Sequence, residues 1–225
     1  MKNILLVLLL YVTISCQIEY DGETKLVIKG TVLNENNTPL TNHEINVFVS
    51  KNSSFVPYIY YSPSEINNIG KAFTDTFGNF TIVIPKPERN FTEIIVEIND
   101  DSNSFNSTRI INIQNDNFNH YEMQLGVYKL FNKSNLCELI IIPNNINSEN
   151  ELLEISYQGE IADELVFYNL PEEYNFYYDN IKKVVKNQTI LLNYTIKNHI
   201  ENTLTNFQEE IQIDSSSQIN YTLNY

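Results

Sequence analysis

The side chains best suited to catalysis or metal binding are few in this chain of 225 residues and lie far apart. The three histidines are His43, His120 and His199. None of them has a Cys, His or carboxylate neighbour at a metal-ligand spacing such as His-x-x-x-His. Cys137 alternates with Leu139 and Ile141 on one apolar strand face, which indicates a buried, inert thiol rather than a nucleophile. We therefore predict a protein without catalysis, metal or cofactor.

Adjacent carboxylates provide the alternative to this prediction. Asp100-Asp101 and Glu172-Glu173 have the chemistry of a general acid and base or of calcium ligands. Neighbouring side chains on a loop usually point apart, and the alternating Asp and Asn pattern of a calcium loop is absent. Solvated turn charges are the expected state of these residues. The competing hypothesis is an envelope hydrolase whose site is built from scattered carboxylates.

Cys16 lies at the end of a segment that is typical of an export signal. The chain begins with Met1 and Lys2, continues with an apolar run from Ile4 to Val12, and has the small residue Ser15 before the cysteine. The apolar run is shorter than the roughly 20 residues that span a bilayer. We interpret residues 1–15 as a signal peptide. The alternative is an ordinary secretory signal with a cysteine nearby by chance.

The segment Thr13-Ile14-Ser15-Cys16 resembles the lipobox of bacterial lipoproteins, although that family usually has Leu where Thr13 stands. The resemblance implies a lipid anchor on the Cys16 thiol, with residues 16–24 as the tether and the membrane as a partner. Gln17 stands where an Asp commonly favours inner-membrane retention, which implies an outer-membrane lipoprotein. The acidic tether also resembles surface-export signals of Bacteroidetes lipoproteins, and a plain solvated linker is its alternative. The expected location faces the periplasm or the cell surface.

Composition excludes one class of partner and one kind of cross-link. The chain has 28 Asp plus Glu against 14 Lys plus Arg, a formal net charge of -14, and no basic stripe. Such a surface repels phosphate backbones, so we predict that nucleic acid is not a partner. With Cys16 acylated, Cys137 has no cysteine to pair with, and the fold cannot depend on an internal disulfide.

From Lys25 onward, apolar and polar residues alternate with the period of a β-strand. The alternating sets are Leu26, Ile28, Gly30 and Val32; Ile45, Val47 and Val49; Phe80, Ile82 and Ile84; Ile94, Val96 and Ile98; and Ile111 and Ile113. Turn signals separate these sets at Asn34 to Pro39, Thr76 to Asn79, Pro85 to Pro87 and Asn99 to Asn103. Short strands at this spacing predict an all-β fold, specifically a β-sandwich.

Four segments in the first half carry a family resemblance. They are Ile28-Lys29-Gly30-Thr31-Val32, Thr38-Pro39-Leu40, Ile45-Asn46-Val47 and Ala72-Phe73-Thr74-Asp75-Thr76-Phe77-Gly78-Asn79-Phe80-Thr81-Ile82. In this order they resemble the carboxypeptidase regulatory-like domain, a transthyretin-like sandwich, over residues 25–127. The family is mostly non-catalytic, and its enzymatic relatives, the hydroxyisourate hydrolases, end in a tetrapeptide that this chain lacks. In the hairpin, we expect Asp75 to bind the turn backbone, Gly78 to take a positive φ and Phe80 to enter the core.

Residues 130–225 form a predicted second sandwich in tandem with the first, Ig-like or of no assigned family. Its alternating sets are Cys137, Leu139 and Ile141; Leu153, Ile155 and Tyr157; Ile190, Leu192, Tyr194 and Ile196; and Ile219, Tyr221, Leu223 and Tyr225. The last set predicts a closing strand at the end of the printed sequence. Asp179 to Lys186 is compatible with a short helical turn.

Two tyrosine clusters are the features that point to binding. The first, within Phe55 to Pro63, contains Tyr58, Tyr60 and Tyr61, and the second contains Tyr177 and Tyr178. Tyrosine offers rigid amphipathic contact area for a protein or glycan partner. The alternative is a strand whose tyrosines cover the core rim, and the absence of Trp argues against a dedicated sugar-stacking platform. We predict a lipid-anchored envelope protein for binding, adhesion or assembly support.

Overall fold

The structure, a computed structural model, describes residues 18–51, 65–89, 91, 93–99, 103–168 and 180–225. Fourteen strands in these ranges form an all-β fold. They are β1 (Glu19–Asn34), β2 (Glu44–Lys51), β3 (Glu65–Phe73), β4 (Asn79–Arg89), β5 (Glu93–Asn99), β6 (Thr108–Ile113), β7 (Glu122–Leu130), β8 (Leu136–Asn144), β9 (Asn150–Gln158), β10 (Leu165–Phe167), β11 (Ile181–Val185), β12 (Gln188–Asn198), β13 (Thr203–Ile213) and β14 (Gln218–Asn224). The two short 3-10 helices in this part of the chain are Asn115–Asn117 and Lys133–Asn135. No described helix is long and apolar enough to cross a membrane.

The first sandwich consists of two sheets with strand orders β4-β1-β7 and β10-β6-β5-β2-β3. In the smaller sheet, β1 pairs antiparallel with β4 and parallel with β7. The alternating residues expected to be buried on β1, β2, β4 and β5 do lie in one hydrophobic cluster between the sheets. Each fully buried aliphatic side chain contributes roughly 1.5–3 kcal/mol to folding, so this cluster holds the two sheets together.

The turn between β3 and β4 has the predicted local geometry, but it joins strands of different sheets and is therefore not the expected hairpin. Asp75 Oδ1 accepts hydrogen bonds from the backbone N–H groups of Phe77 and Asn79, both at 2.8 Å. Gly78 has a φ of +76°, and its N–H donates to the Asp75 carbonyl oxygen at 3.0 Å. Phe80 is buried in the core. The three expectations for this turn are therefore confirmed.

Two local predictions in the first half are wrong. Pro85 to Pro87 were expected to form a turn, but β4 continues through them to Arg89. The prolines are tolerated because β4 is an edge strand of its sheet and leaves part of its backbone without a neighbour. On β6, Ile110 rather than Ile111 joins Ile113 in the hydrophobic cluster between the sheets, although Ile111 is buried as well. Asn112 between them has a φ of +64°, and the pairing with β5 slips there, which is the signature of a β-bulge.

The second sandwich packs the sheets β11-β8-β14 and β13-β12-β9 around a separate hydrophobic cluster. The predicted buried sets on β8 and β12 lie in this cluster. As expected, the last set forms a strand, β14, which pairs parallel with β8 at the edge of the sheet β11-β8-β14. Leu223 on β14 is fully buried. Cys137 is a free, buried thiol, and burial raises its pKa. The expectation that Cys137 lies in the core is confirmed.

Two expectations in this half are also corrected. The possible helical turn before Lys186 is the strand β11, which pairs antiparallel with β8. On β9, Leu152 rather than Leu153 joins Ile155 in the core. Here the register with β12 shifts by one residue, so Leu153 is the extra residue of a β-bulge and leaves the inner face.

One strand from the later part of the chain belongs to the first sandwich. β10 pairs in parallel with β6, and the Arg109 N–H donates to the Glu164 carbonyl oxygen at 2.9 Å. Thr108 Oγ1 also donates to the Asp163 carbonyl oxygen at 2.8 Å. The division at residues 127–130 stays a prediction. β10, which follows β9 in the chain, adds one strand to the larger sheet of the first sandwich.

Candidate binding surfaces

The residues that the sequence singled out for binding lie outside the described part of the chain. They are Cys16, Tyr58, Tyr60, Tyr61, Tyr177 and Tyr178. The paired carboxylates Asp100-Asp101 and Glu172-Glu173 lie outside it as well. Lipidation and tyrosine-mediated contact therefore stay predictions.

The three histidines have different surroundings. His43 makes an edge-to-face contact with Phe105 at a ring separation of 5.8 Å. His120, with a φ of +50°, lies in the tight turn before β7. His199 Nε2 lies 3.1 Å from Glu151 Oε2, and both side chains are about half exposed. Among the described residues, no group of three or more His, Cys, Asp or Glu side chains is arranged to hold a metal ion.

The sheet β13-β12-β9 carries an open groove of about 330 Å³. We call it the polar groove and define it by Glu154 and Ser156 on β9, Asn193 and Thr195 on β12, and Asn206 on β13. These five side chains alternate with the core residues of their strands and therefore point away from the core. Tyr194 and Phe207, between them in sequence, complete the lining.

Strand register places the groove residues in two rows across the sheet. Glu154, Thr195 and Asn206 form one row, and Ser156, Asn193 and Gln208 form the next. Within the rows, Thr195 Oγ1 donates to Asn206 Oδ1 at 3.0 Å, and Gln208 Nε2 donates to Asn193 Oδ1 at 2.8 Å.

The β-bulge at Leu153 lies directly beside the first row. The pairing of β9 with β12 is regular from Gln158 to Glu154 and slips by one residue immediately after Glu154. A bulge increases the local twist of a sheet and redirects the adjacent side chains. The groove thus lies beside a distortion of the sheet.

Beneath this sheet, a carboxylate bridges the two layers of the second sandwich. Tyr194 on β12 donates its hydroxyl to Glu209 Oε1 at 2.7 Å, and Tyr221 on β14 donates to the other carboxylate oxygen of Glu209. The pKa of Tyr194 is raised, chiefly because its hydroxyl is buried and also because it donates to Glu209. The pKa of Tyr221 is raised to about 12, chiefly by its hydrogen bond to Glu209 and also by burial. We call this set the tyrosine–carboxylate bridge.

A second exposed feature lies at one end of the second sandwich. The loop from β8 to β9 and the loop from β12 to β13 meet there, because the His199 N–H donates to the Glu149 carbonyl oxygen at 2.8 Å. Ile146 and Ile200 in these loops are 71% and 72% exposed, and Leu204 at the start of β13 is 66% exposed. We call these three residues the apolar tip.

Sequence reasoning did not single out either surface. Asn193 and Thr195 were the polar partners of a correctly predicted alternation on β12, whereas no alternating set was predicted on β13 and the set on β9 was predicted in part. Polar residues on an outward face are also the ordinary state of a sandwich strand. The available signal was composition, since Asn193 and Thr195 on β12 and Asn206 and Gln208 on β13 are all uncharged hydrogen-bonding residues. Only the pairing of β9, β12 and β13 brings them together.

Comparison with known proteins gives neither a family nor a function. No family model matches the chain, and no curated protein matches it. A 9R-lipoxygenase from Cyanothece shares 19% identity at a TM-score of 0.32, covering 56% of this chain and 20% of the lipoxygenase. A 3-chlorocatechol 1,2-dioxygenase from Rhodococcus opacus shares 14% identity at a TM-score of 0.32, covering 52% of this chain and 61% of the dioxygenase.

The shaft pilin SpaA from Lactobacillus rhamnosus GG shares 11% identity at a TM-score of 0.35, covering 89% of this chain and 98% of the pilin. The chain spans less than two thirds of the lipoxygenase and of the dioxygenase. These likenesses are too distant to transfer an activity or a partner. The all-β sandwich fold follows from the paired sheets and buried clusters of the chain itself.

Proposed function

We propose that this chain is a lipid-anchored envelope protein, held in the outer membrane through Cys16, that binds a partner without catalysing a reaction. Its first sandwich is proposed to be a carboxypeptidase regulatory-like module that supports the second. Adhesion and assembly support are forms of the same activity, because each requires a stable contact with another envelope component.

The apolar tip is the observation that carries this proposal. Ile146, Ile200 and Leu204 are each about two-thirds or more exposed at one end of the second sandwich. Scattered exposed aliphatic residues are normal, but a group at a loop end is typical of a protein contact site. Loops on a rigid sandwich are also the usual place for binding residues.

The charges around the tip indicate the chemistry of the partner. Glu149, Glu151 and Glu201 lie in or beside the two loops, whereas His199 and Lys197 are the nearby basic residues. An acidic rim disfavours an anionic lipid surface and favours a partner with Lys or Arg around an apolar socket. The expected partner is therefore a protein whose contact surface is apolar at its centre and basic at its edge.

Co-purification from detergent-solubilised envelopes tests the proposal. We expect the native protein to retain a defined protein partner, and Ile146→Asn combined with Ile200→Asn to lose it, because polar side chains cannot fill an apolar socket. Phe77→Asn is the matched control, since Phe77 is also a loop residue and is 71% exposed. A partner that stays with the double variant, or that is lost equally from the control, contradicts the proposal.

The anchor is tested separately by metabolic labelling with a fatty acid. We expect Cys16→Ala to abolish labelling and to release the protein from membranes on salt washing. Acyl chains add about 0.8 kcal/mol per buried methylene, so the unmodified protein loses most of its membrane affinity. Cys137→Ala is the control and should keep its label, because the Cys137 thiol is buried in the core. Labelling that persists without Cys16 would contradict a lipid anchor there.

A further inference from the structure

We propose that the polar groove binds a neutral oligosaccharide. This inference rests on the proposed binding function and names the chemical class of one ligand. The site is on the outward face of the sheet β13-β12-β9 and shares no lining residue with the apolar tip, although Leu204 of the tip lies two residues from Asn206 on β13. It combines an open groove with unpaired hydrogen-bonding groups.

The hydrogen bonds within the groove leave a defined set of groups available to a ligand. Thr195 and Gln208 donate to the Oδ1 atoms of Asn206 and Asn193, and this orients both amide NH₂ groups away from their partners. The Glu154 carboxylate and the Ser156 hydroxyl have no hydrogen-bond partner among the described residues. The groove thus offers two amide donors, one charged acceptor and one hydroxyl that both donates and accepts.

The charge of the groove selects against anionic ligands. Among the described residues that line it there is no Lys or Arg, and Glu154 is the one ionisable side chain there apart from the Tyr194 hydroxyl, which is bonded to Glu209. Lys197, two residues from Thr195 on β12, stands opposite Glu151 in the strand pair. A phosphate, sulfate or uronate group would therefore lie beside the Glu154 carboxylate, with the one neighbouring lysine of these strand pairs offset by a second carboxylate. A neutral ligand meets no such repulsion.

The arrangement matches hydroxyl groups better than a peptide. A peptide usually adds to the edge of a sheet through its backbone or fills an apolar groove, whereas this site is on a sheet face and its defining side chains are polar. A sugar hydroxyl donates one hydrogen bond and accepts others, so it satisfies an amide NH₂ and a carboxylate together. Neighbouring strands lie about 4.8 Å apart, which lets neighbouring side chains of one row contact adjacent hydroxyls of one sugar chain.

The test is an NMR titration of the full chain that follows the signal positions of the amide groups. The probes are neutral hexasaccharides of α-glucan, β-glucan, mannan and galactan, with hexagalacturonate as the charged comparison. We expect at least one neutral probe to shift the Asn193 and Asn206 side-chain signals, and Asn193→Ala or Asn206→Ala to weaken its binding about 3- to 10-fold. Asn220→Ala, on the outward face of the opposite sheet, is the matched control and should bind as the unmodified protein does.

Three results would overturn the inference. One is that no neutral probe binds; another is that hexagalacturonate binds more tightly than every neutral probe; the third is equal weakening in the Asn220 variant. Thermal unfolding of each variant checks that the sandwich is intact, since loss of one exposed hydrogen bond should cost little stability. The tip variants and fatty-acid labelling are unaffected by these outcomes, so failure of the glycan site is distinguishable from failure of the proposed function.

Discussion

Replacing Gly78 with Val is expected to lower the free energy of unfolding of the first sandwich by about 3 kcal/mol. Gly78 has a φ of +76°, a conformation that a β-branched residue strongly disfavours. In addition, a Cβ atom at this position would lie 2.4 Å from the Val32 carbonyl oxygen. That carbonyl accepts the backbone hydrogen bond of Leu40, so it cannot move without disturbing the neighbouring turn. The measurement is chemical denaturation of the purified variant.

Gly126 provides the control that separates strain from collision. Its φ is +87°, but a Cβ atom there would have no neighbour within 4 Å. Gly126→Val should therefore show the cost of the backbone conformation alone, roughly 1–2 kcal/mol. If the two substitutions cost the same, the collision with the Val32 carbonyl oxygen adds nothing to the cost of Gly78→Val, and only the conformational argument for the turn would remain.

The second large effect is expected at alkaline pH, in the tyrosine–carboxylate bridge. The pKa of Tyr221 is raised to about 12, and that of Tyr194 is raised as well. A tyrosine pKa that is higher in the folded state contributes stability that is fully present below its ordinary value near 10. That stability is lost as the pH rises towards the folded-state pKa, because the unfolded chain ionises first. The second sandwich should therefore lose stability between about pH 10 and 12.

Tyr221→Phe tests this origin of the pH dependence. At pH 8 the variant should be about 1.5–3 kcal/mol less stable, since one hydrogen bond to a charged group is lost. Between pH 10 and 12 it should lose less stability than the unmodified protein, because one titrating group has been removed. Tyr121→Phe is the control, since Tyr121 is an exposed turn residue outside the bridge. Parallel stability curves for the unmodified protein and Tyr221→Phe would show that the bridge does not cause the alkaline loss.

Strand identity was predictable because it depends on a local period. Alternation along β1, β2, β4, β8 and β12 reports which side chains are buried, whatever the strand pairs with. The turn at Asp75 and Gly78 was equally local, since its hydrogen bonds join residues within four positions of one another. These features require no knowledge of the rest of the chain.

The errors occurred where pairing with a distant strand overrode the local pattern. The bulges at Asn112 and Leu153 moved Ile110 and Leu152 into the core, because an extra residue on one strand reverses the faces that follow it. Pro85 and Pro87 were interpreted as a turn because their edge position in the sheet depends on topology. Neither kind of feature has a marker in the residues nearby.

The amino-acid sequence by itself determined that this chain is an all-β protein with two alternating halves and few groups suited to catalysis. Tertiary structure alone decided that β10 joins the first sandwich, that Tyr194, Glu209 and Tyr221 meet between the sheets, and that the groove residues form two rows. The physical reason is the range of the interactions. Burial alternates over two residues, whereas a site is assembled by strand pairings that join residues tens of positions apart.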